Sequence, residues 1–156
     1  MPKAATRNPA RQIAGFLAKY APPVQKEARA ARRVMRTWMP TATEMVYDNY
    51  NALVFGYAPG DRPSEAILSL ALFPRWVTLC FIQGATLDDP AGLLKGSGNQ
   101  VRSVSLQGGA LDLRKPGIRS LIRQAILSSK PPFPKSGRGT TVIKSVSAKQ
   151  RPRRPD

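Results

Sequence analysis

An α+β domain is the fold class this sequence predicts, with an antiparallel five-stranded sheet packed by two N-terminal helices and one C-terminal helix. Three observations carry it. Apolar residues recur at helical spacing within the first 39 residues and again after Pro116. Between them lie runs rich in β-branched and aromatic residues, some alternating with a period of two. Links such as Phe73-Pro74-Arg75-Trp76 are too short for a parallel crossover, so those strands must form hairpins.

The first helix starts at Asn8, whose side chain suits an N-cap, followed by Pro9, whose missing N–H costs nothing at that position. Ile13, Phe16, Leu17 and Tyr20 then mark one face. Pro22-Pro23 ends this helix and begins another. Its stripe is Val24, Ala28, Ala31, Met35 and Trp38, with Met35 and Trp38 expected in the core. Lys26, Arg29, Arg33 and Arg36, with Arg32 beside them, fall across the helix from that stripe. Pro40 stops it.

The middle reads as strands at Met45–Tyr50, Ala52–Tyr57, Glu65–Phe73, Trp76–Gln83 and Val101–Gln107. Turn residues separate most of them: Pro59-Gly60-Asp61, Pro74-Arg75, and the stretch from Pro90 to Gly98. Ile67, Ser69 and Ala71 alternate with Leu68, Leu70 and Leu72, as a sheet buried on one side requires. The last helix opens near Pro116 and turns Ile118, Leu121, Ile122, Ala125 and Ile126 to one side, with Arg119 and Arg123 off it. Residues 1–129 are therefore expected to form one folded domain. From Lys130 periodicity fails amid prolines, glycines and cations, which predicts a disordered basic tail over 130–156, removable without loss of the fold. Within it only Thr140–Ile143 offers a short strand.

Charge is unevenly spread. The 156 residues hold 25 Lys and Arg against 9 Asp and Glu, a formal net charge of +16. Of this, +8 falls on residues 1–39, +1 on 40–129 and +7 on 130–156. Cationic ends of this kind favour a polyanionic partner, a nucleic acid or an acidic protein, although a charged row also serves simply as a solvated face. The candidate contacts are Lys26, Arg29, Arg33 and Arg36 on the second helix and Arg151, Arg153 and Arg154 in the tail.

The residues that are missing exclude further classes. With no His, neither a Ser-His-Asp unit nor an imidazole-bound metal can be built. One Cys, Cys80, allows no internal disulfide and no multi-thiolate metal site, and its place in a strand reads as a buried, inert thiol. No nucleophile–base pair can be named, so a non-enzymatic protein without cofactor or metal is expected. The longest strongly apolar stretches, Ala66–Phe73 and Trp76–Ile82, are far shorter than the roughly 20 residues of a membrane-spanning helix. Met1–Ala14 has no apolar h-region or small-residue cleavage site, so a cytoplasmic location is expected.

The runs Tyr47-Asp48-Asn49-Tyr50-Asn51-Ala52-Leu53-Val54, Ala71-Leu72-Phe73-Pro74-Arg75-Trp76-Val77, and Leu87-Asp88-Asp89-Pro90-Ala91-Gly92-Leu93-Leu94-Lys95-Gly96-Ser97-Gly98-Asn99 with Val101-Arg102 resemble the YdhG-like family of domains of unknown function. The resemblance spans about Phe16 to Ile126. It implies a helix-and-sheet fold similar to secretion chaperones and frataxin, and, for some members, intracellular iron chaperoning. An iron- or small-ligand-handling role is accordingly the alternative to polyanion binding. Iron favours clustered hard oxygen or imidazole ligands, and here only Asp88-Asp89 is an adjacent acidic pair.

Two loops are candidate ligand sites. Lys95, Gly96, Ser97, Gly98 and Asn99, with Arg102, either form a nest of backbone N–H groups around an anion or simply permit a tight connection. Tyr47, Asn49 and Asn51 either share one strand face and line a pocket, or belong to a turn whose amides serve the local backbone. Arg75 beside Trp76 suits base or phosphate contact if the pair is exposed, and is an exposed Arg beside a core Trp otherwise. Asp88 and Asp89 most simply start a turn or cap a short helix over Ala91–Leu94.

Overall fold

The computed structural model describes residues 8–155. Helices α1 (Pro9–Ala18) and α2 (Pro22–Trp38) come first, as the stripes predict, and the Asn8 carboxamide caps α1 by accepting from Ala10 and Arg11 N–H. Strands β1 (Thr43–Asp48), β2 (Leu53–Ala58), β3 (Leu68–Leu72), β4 (Val77–Phe81) and β5 (Arg102–Leu106) follow. Helix α3 (Pro116–Leu127) and a further strand, β6 (Thr140–Val146), complete the α+β fold.

The sheet has six strands in the order β5-β4-β3-β2-β1-β6. Strands β1 to β5 form an antiparallel meander, and β6 pairs parallel with β1, its register shifting between Val46 and Tyr47. The expectation of five antiparallel strands is thus corrected to six in a mixed sheet. A parallel neighbour needs a long connection, and α3 with the segment after it supplies one. Alternate residues on one face (Phe55 and Tyr57, Leu68, Leu70 and Leu72, Leu79 and Phe81) join Leu17, Met35, Leu121 and Ile122 in a single core. The other face carries small and polar residues, among them Gly56, Ser69, Thr78 and Ser103.

The tail expectation is corrected as well. Far from being disordered throughout, the segment after Lys130 pairs along all of β1, and Arg153 is only 5% exposed. The β-branched run Thr140-Thr141-Val142-Ile143 does form a strand, and it extends to Val146. Two acids of β1 explain why the segment is held. Glu44 and Asp48 point toward the helices and are both 0% exposed, and an unpaired buried carboxylate is prohibitively costly. Glu44 accepts from Arg32 in a two-pronged pair (Nη2 2.7 Å, Nε 3.0 Å), from the Tyr57 hydroxyl at 2.5 Å, from Arg36 at 3.3 Å and from Thr141 of β6 at 3.0 Å. Asp48 is held by Lys19 at 2.6 Å and by Arg153 at 2.9 Å.

Burial alone would raise the Glu44 carboxyl, but the Arg32 bonds, with Tyr57 and Arg36, outweigh it and hold the group below its ordinary value of 4.5. Burial and the neighbouring Glu44 push the Tyr57 hydroxyl well above 10.0. A lowered acid contributes stability present above its unfolded value and lost as pH falls through the folded one; a raised phenol contributes stability that is lost only as pH climbs past its unfolded value. Equilibrium denaturation across pH should therefore show stability falling below about pH 4 and above about pH 10, and Glu44→Gln should flatten the acid limb. Arg153→Ala should cost about 3–5 kcal/mol in urea denaturation, because it leaves a buried carboxylate short of a partner. Removing residues 130–156 should cost at least as much, contrary to the expectation for a free tail.

Candidate functional site

The longest cationic helix, α2, divides its charges by packing. Arg32 and Arg36 turn inward to Glu44, and Arg32 also lies 4.6 Å from the centre of the Phe55 ring. Arg36, half-buried and also bonded to Thr141, is thereby removed from the set of polyanion contacts. Lys26, Arg29 and Arg33 remain exposed.

A 3-10 turn over Gly109–Arg114 then brings a second set of cations beside them. This turn is anchored on α2, where the Glu27 carboxylate accepts the Ala110 N–H at 2.8 Å. Gly109, at φ +77°, permits the approach: a side chain there would run into Glu27. Asp112 folds back onto the Gly108 N–H at 2.8 Å, so this acid too is occupied. Arg114 ends the turn, and α3 adds Arg119 and Arg123.

The result is a pair of adjoining grooves, one between the end of α2 and α3 and the other between α2 and the 3-10 turn, that share Thr37, Trp38 and Arg114. The larger encloses about 780 Å³ and includes Arg119 and Arg123; the other, about 510 Å³, includes Lys26 and Arg33. Trp38 forms the floor. It is half-buried rather than lost in the core, and the Arg119 guanidinium lies 5.1 Å from its ring centre. Leu111 and Leu127, 73% and 76% exposed, flank the cations. Among the described residues, none of Lys26, Arg29, Arg33, Arg114, Arg119 and Arg123 belongs to an ion pair.

The other expected contacts fare unevenly. Arg153 is buried on Asp48 and is no surface cation. Arg154 donates to the carbonyls of Lys19 (3.2 Å) and Ala18 (3.3 Å) at the end of α1. Arg151 is exposed, although its backbone N–H bonds to Tyr50 O. These three lie on the β1–β2 turn and the end of α1, so tail and α2 do not make one continuous charged row.

The glycine loop makes the connection into β5. Lys95 pairs through its backbone with Ser103, and Gly96, Ser97, Gly98 and Asn99 form an exposed turn. Arg102 is spent on that turn, its Nη1 donating to Gly98 O at 2.7 Å and Val101 O at 2.8 Å. At the start of the loop the Asp89 carboxylate accepts from Leu93 and Leu94 N–H, both at 2.9 Å. Of the two readings of Asp88 and Asp89 the turn holds, and no helix forms over Ala91–Leu94.

Of the two readings of Tyr47, Asn49 and Asn51, the turn is the one that forms. Strand β1 stops at Asp48, and Asn49 N–H closes a turn onto Ala52 O at 3.0 Å. Asn49 and Asn51 are exposed there, and Asn49 accepts from Ser145. Tyr47 lies apart, beside Gly56 with its hydroxyl toward the Met45 sulfur. Arg75 and Trp76 are both exposed at the β3–β4 turn, so Trp76 is not a core residue. Cys80 is half-buried, and burial raises its thiol despite a hydrogen bond from Ser69.

Arg114, Arg119 and Arg123 are absent from the contacts that the sequence suggests. The off-stripe position of Arg119 and Arg123 on α3 is visible there, but their meeting with α2 depends on how the two helices cross. No helix of the described residues is long and apolar enough to cross a membrane, and among them no three acidic, thiol or imidazole groups cluster as a metal site needs. No family model, curated protein or solved structure matches the chain.

Proposed function

We propose that this is a non-enzymatic, cytoplasmic, YdhG-like domain that binds nucleic acid along the α2–α3 face. One observation carries the proposal: Arg33, Arg114, Arg119 and Arg123 surround a half-buried Trp38 with no ion-pair partner among the described residues. Elsewhere the fold spends its arginines on acids and carbonyls, as Arg32, Arg102 and Arg153 illustrate. Guanidinium groups suit phosphate because their planar fork matches two oxygens, and release of condensed counterions drives such binding. The aromatic floor and the two exposed leucines offer apolar area to unstacked bases, which favours single-stranded over duplex nucleic acid. Arg102, spent on the carbonyls of its own loop, supports this reading over a small-anion site there.

Fluorescence anisotropy with a labelled single-stranded oligonucleotide should give saturable binding that weakens steeply with salt. Changing Arg119 and Arg123 together to Gln should weaken it at least tenfold and lower the slope of log affinity against log salt by roughly 1 for each phosphate no longer neutralised. Circular dichroism should stay native. Binding unaffected by the pair, or independent of salt, overturns the proposal; equal binding to a polyglutamate probe would point to an acidic protein instead.

A further inference from the structure

The C-terminal segment is bound to the rest of the chain in the manner of a peptide ligand. Strand β6 adds to the outer edge of β1, and its side chains stay half-exposed or exposed. Main-chain bonds continue past it, from Ser147 N–H to Asp48 O at 2.8 Å and from Arg151 N–H to Tyr50 O at 2.9 Å. Side chains add to these, among them Thr141 on Glu44, Ser145 on Asn49 and Gln150 on Lys19, and the most buried is Arg153. Arg153 enters a pocket made by the Asp48 carboxylate (2.9 Å), the Asn49 carbonyl (2.6 Å), the Tyr50 carbonyl (3.4 Å) and the Tyr20 ring, 5.7 Å from its centre. This is strand addition with a buried anchoring arginine. The fit is incomplete, because Arg153 Nε is buried without a protein acceptor, which lowers the cost of release.

Nothing in that acceptor depends on the segment belonging to the same molecule. The link from Lys130 to Gly139 contains three prolines and two glycines and holds neither helix nor strand. Its fixed points are Phe133, packed against the core, and three hydrogen bonds: Ser129 Oγ to Pro131 O, Thr41 Oγ1 to Pro134 O, and Gly139 N–H to Pro40 O. We propose that the β1 edge and the arginine pocket are an exchangeable acceptor, filled by residues Thr140–Arg154 either of the same chain or of a second copy. The product is a dimer in which two chains trade their last strand, with identical contacts at both sites. The intramolecular segment has the advantage of a high effective concentration, so exchange is a high-concentration state.

A fluorescein-labelled peptide of residues 138–155 tests the acceptor on the full-length chain. Wild type should bind it weakly. The full-length Arg153→Ala and Ser147→Pro variants, whose own segments are loosened at different points, should bind it at least tenfold more tightly. The same peptide carrying R153A should bind neither. Ser147→Pro leaves both buried acids paired, so it tests the idea even where Arg153→Ala unfolds. Native mass spectrometry of concentrated wild type should show dimers that excess peptide converts to peptide-bound monomers. Variants that keep native circular dichroism yet ignore the peptide overturn the proposal, as do dimers that the peptide leaves intact. Since no nucleic acid is present, neither result bears on binding by the α2–α3 face.

Discussion

Two carboxylates on the wrong side of a strand organise this molecule. Glu44 and Asp48 sit on the helix-facing side of β1, where the period-two pattern calls for apolar residues. Each must be neutralised in place, and cations from three parts of the chain converge to do so: Lys19 after α1, Arg32 and Arg36 in α2, and Arg153 beyond β6. Replacing such pairs by hydrophobic residues is often neutral or stabilising, so their value here lies in specification. They fix how α2 lies on the sheet and which segment may occupy the edge of β1.

The same demand sorts the basic side chains. A net charge of +16 looks, in sequence, like one undifferentiated attraction for anions. Folding divides it into cations consumed by internal acids and carbonyls and cations left on the α2–α3 face. Arg32 and Arg33 are neighbours in sequence and have opposite fates, because successive helix positions differ by about 100° and only one of them faces Glu44.

Helical stripes and hairpin links were legible because both are local: the spacing of Val24, Ala28, Ala31 and Met35 states which side of α2 is buried, and a four-residue link such as Phe73–Trp76 admits only an antiparallel return. The sixth strand was not, although its β-branched residues were in plain view. Prolines and cations around it suggest a solvated chain, and the partner that orders it lies far away in sequence. The inward-facing acids were the available clue, since each needs a cation and the meander alone does not supply enough. The arginine groove was half legible: the basic row of α2 could be read directly, but Arg114, Arg119 and Arg123 join it only through helix packing. The Asp89 carboxylate, four residues before Leu93, takes up the Leu93 and Leu94 N–H groups, a local pairing that the spacing already allows.

The pairing of Thr141 with Glu44 spans 97 residues, and that of Arg153 with Asp48 spans 105. During synthesis β1 leaves the ribosome long before its outer neighbour exists. For that interval the nascent sheet has a bare edge, and Asp48 depends on Lys19 alone. Pairings this distant in sequence carry a large loop-closure cost, which local contacts of the helices and the meander do not. A chaperone that shields unpaired strand edges would have its window of action in that delay.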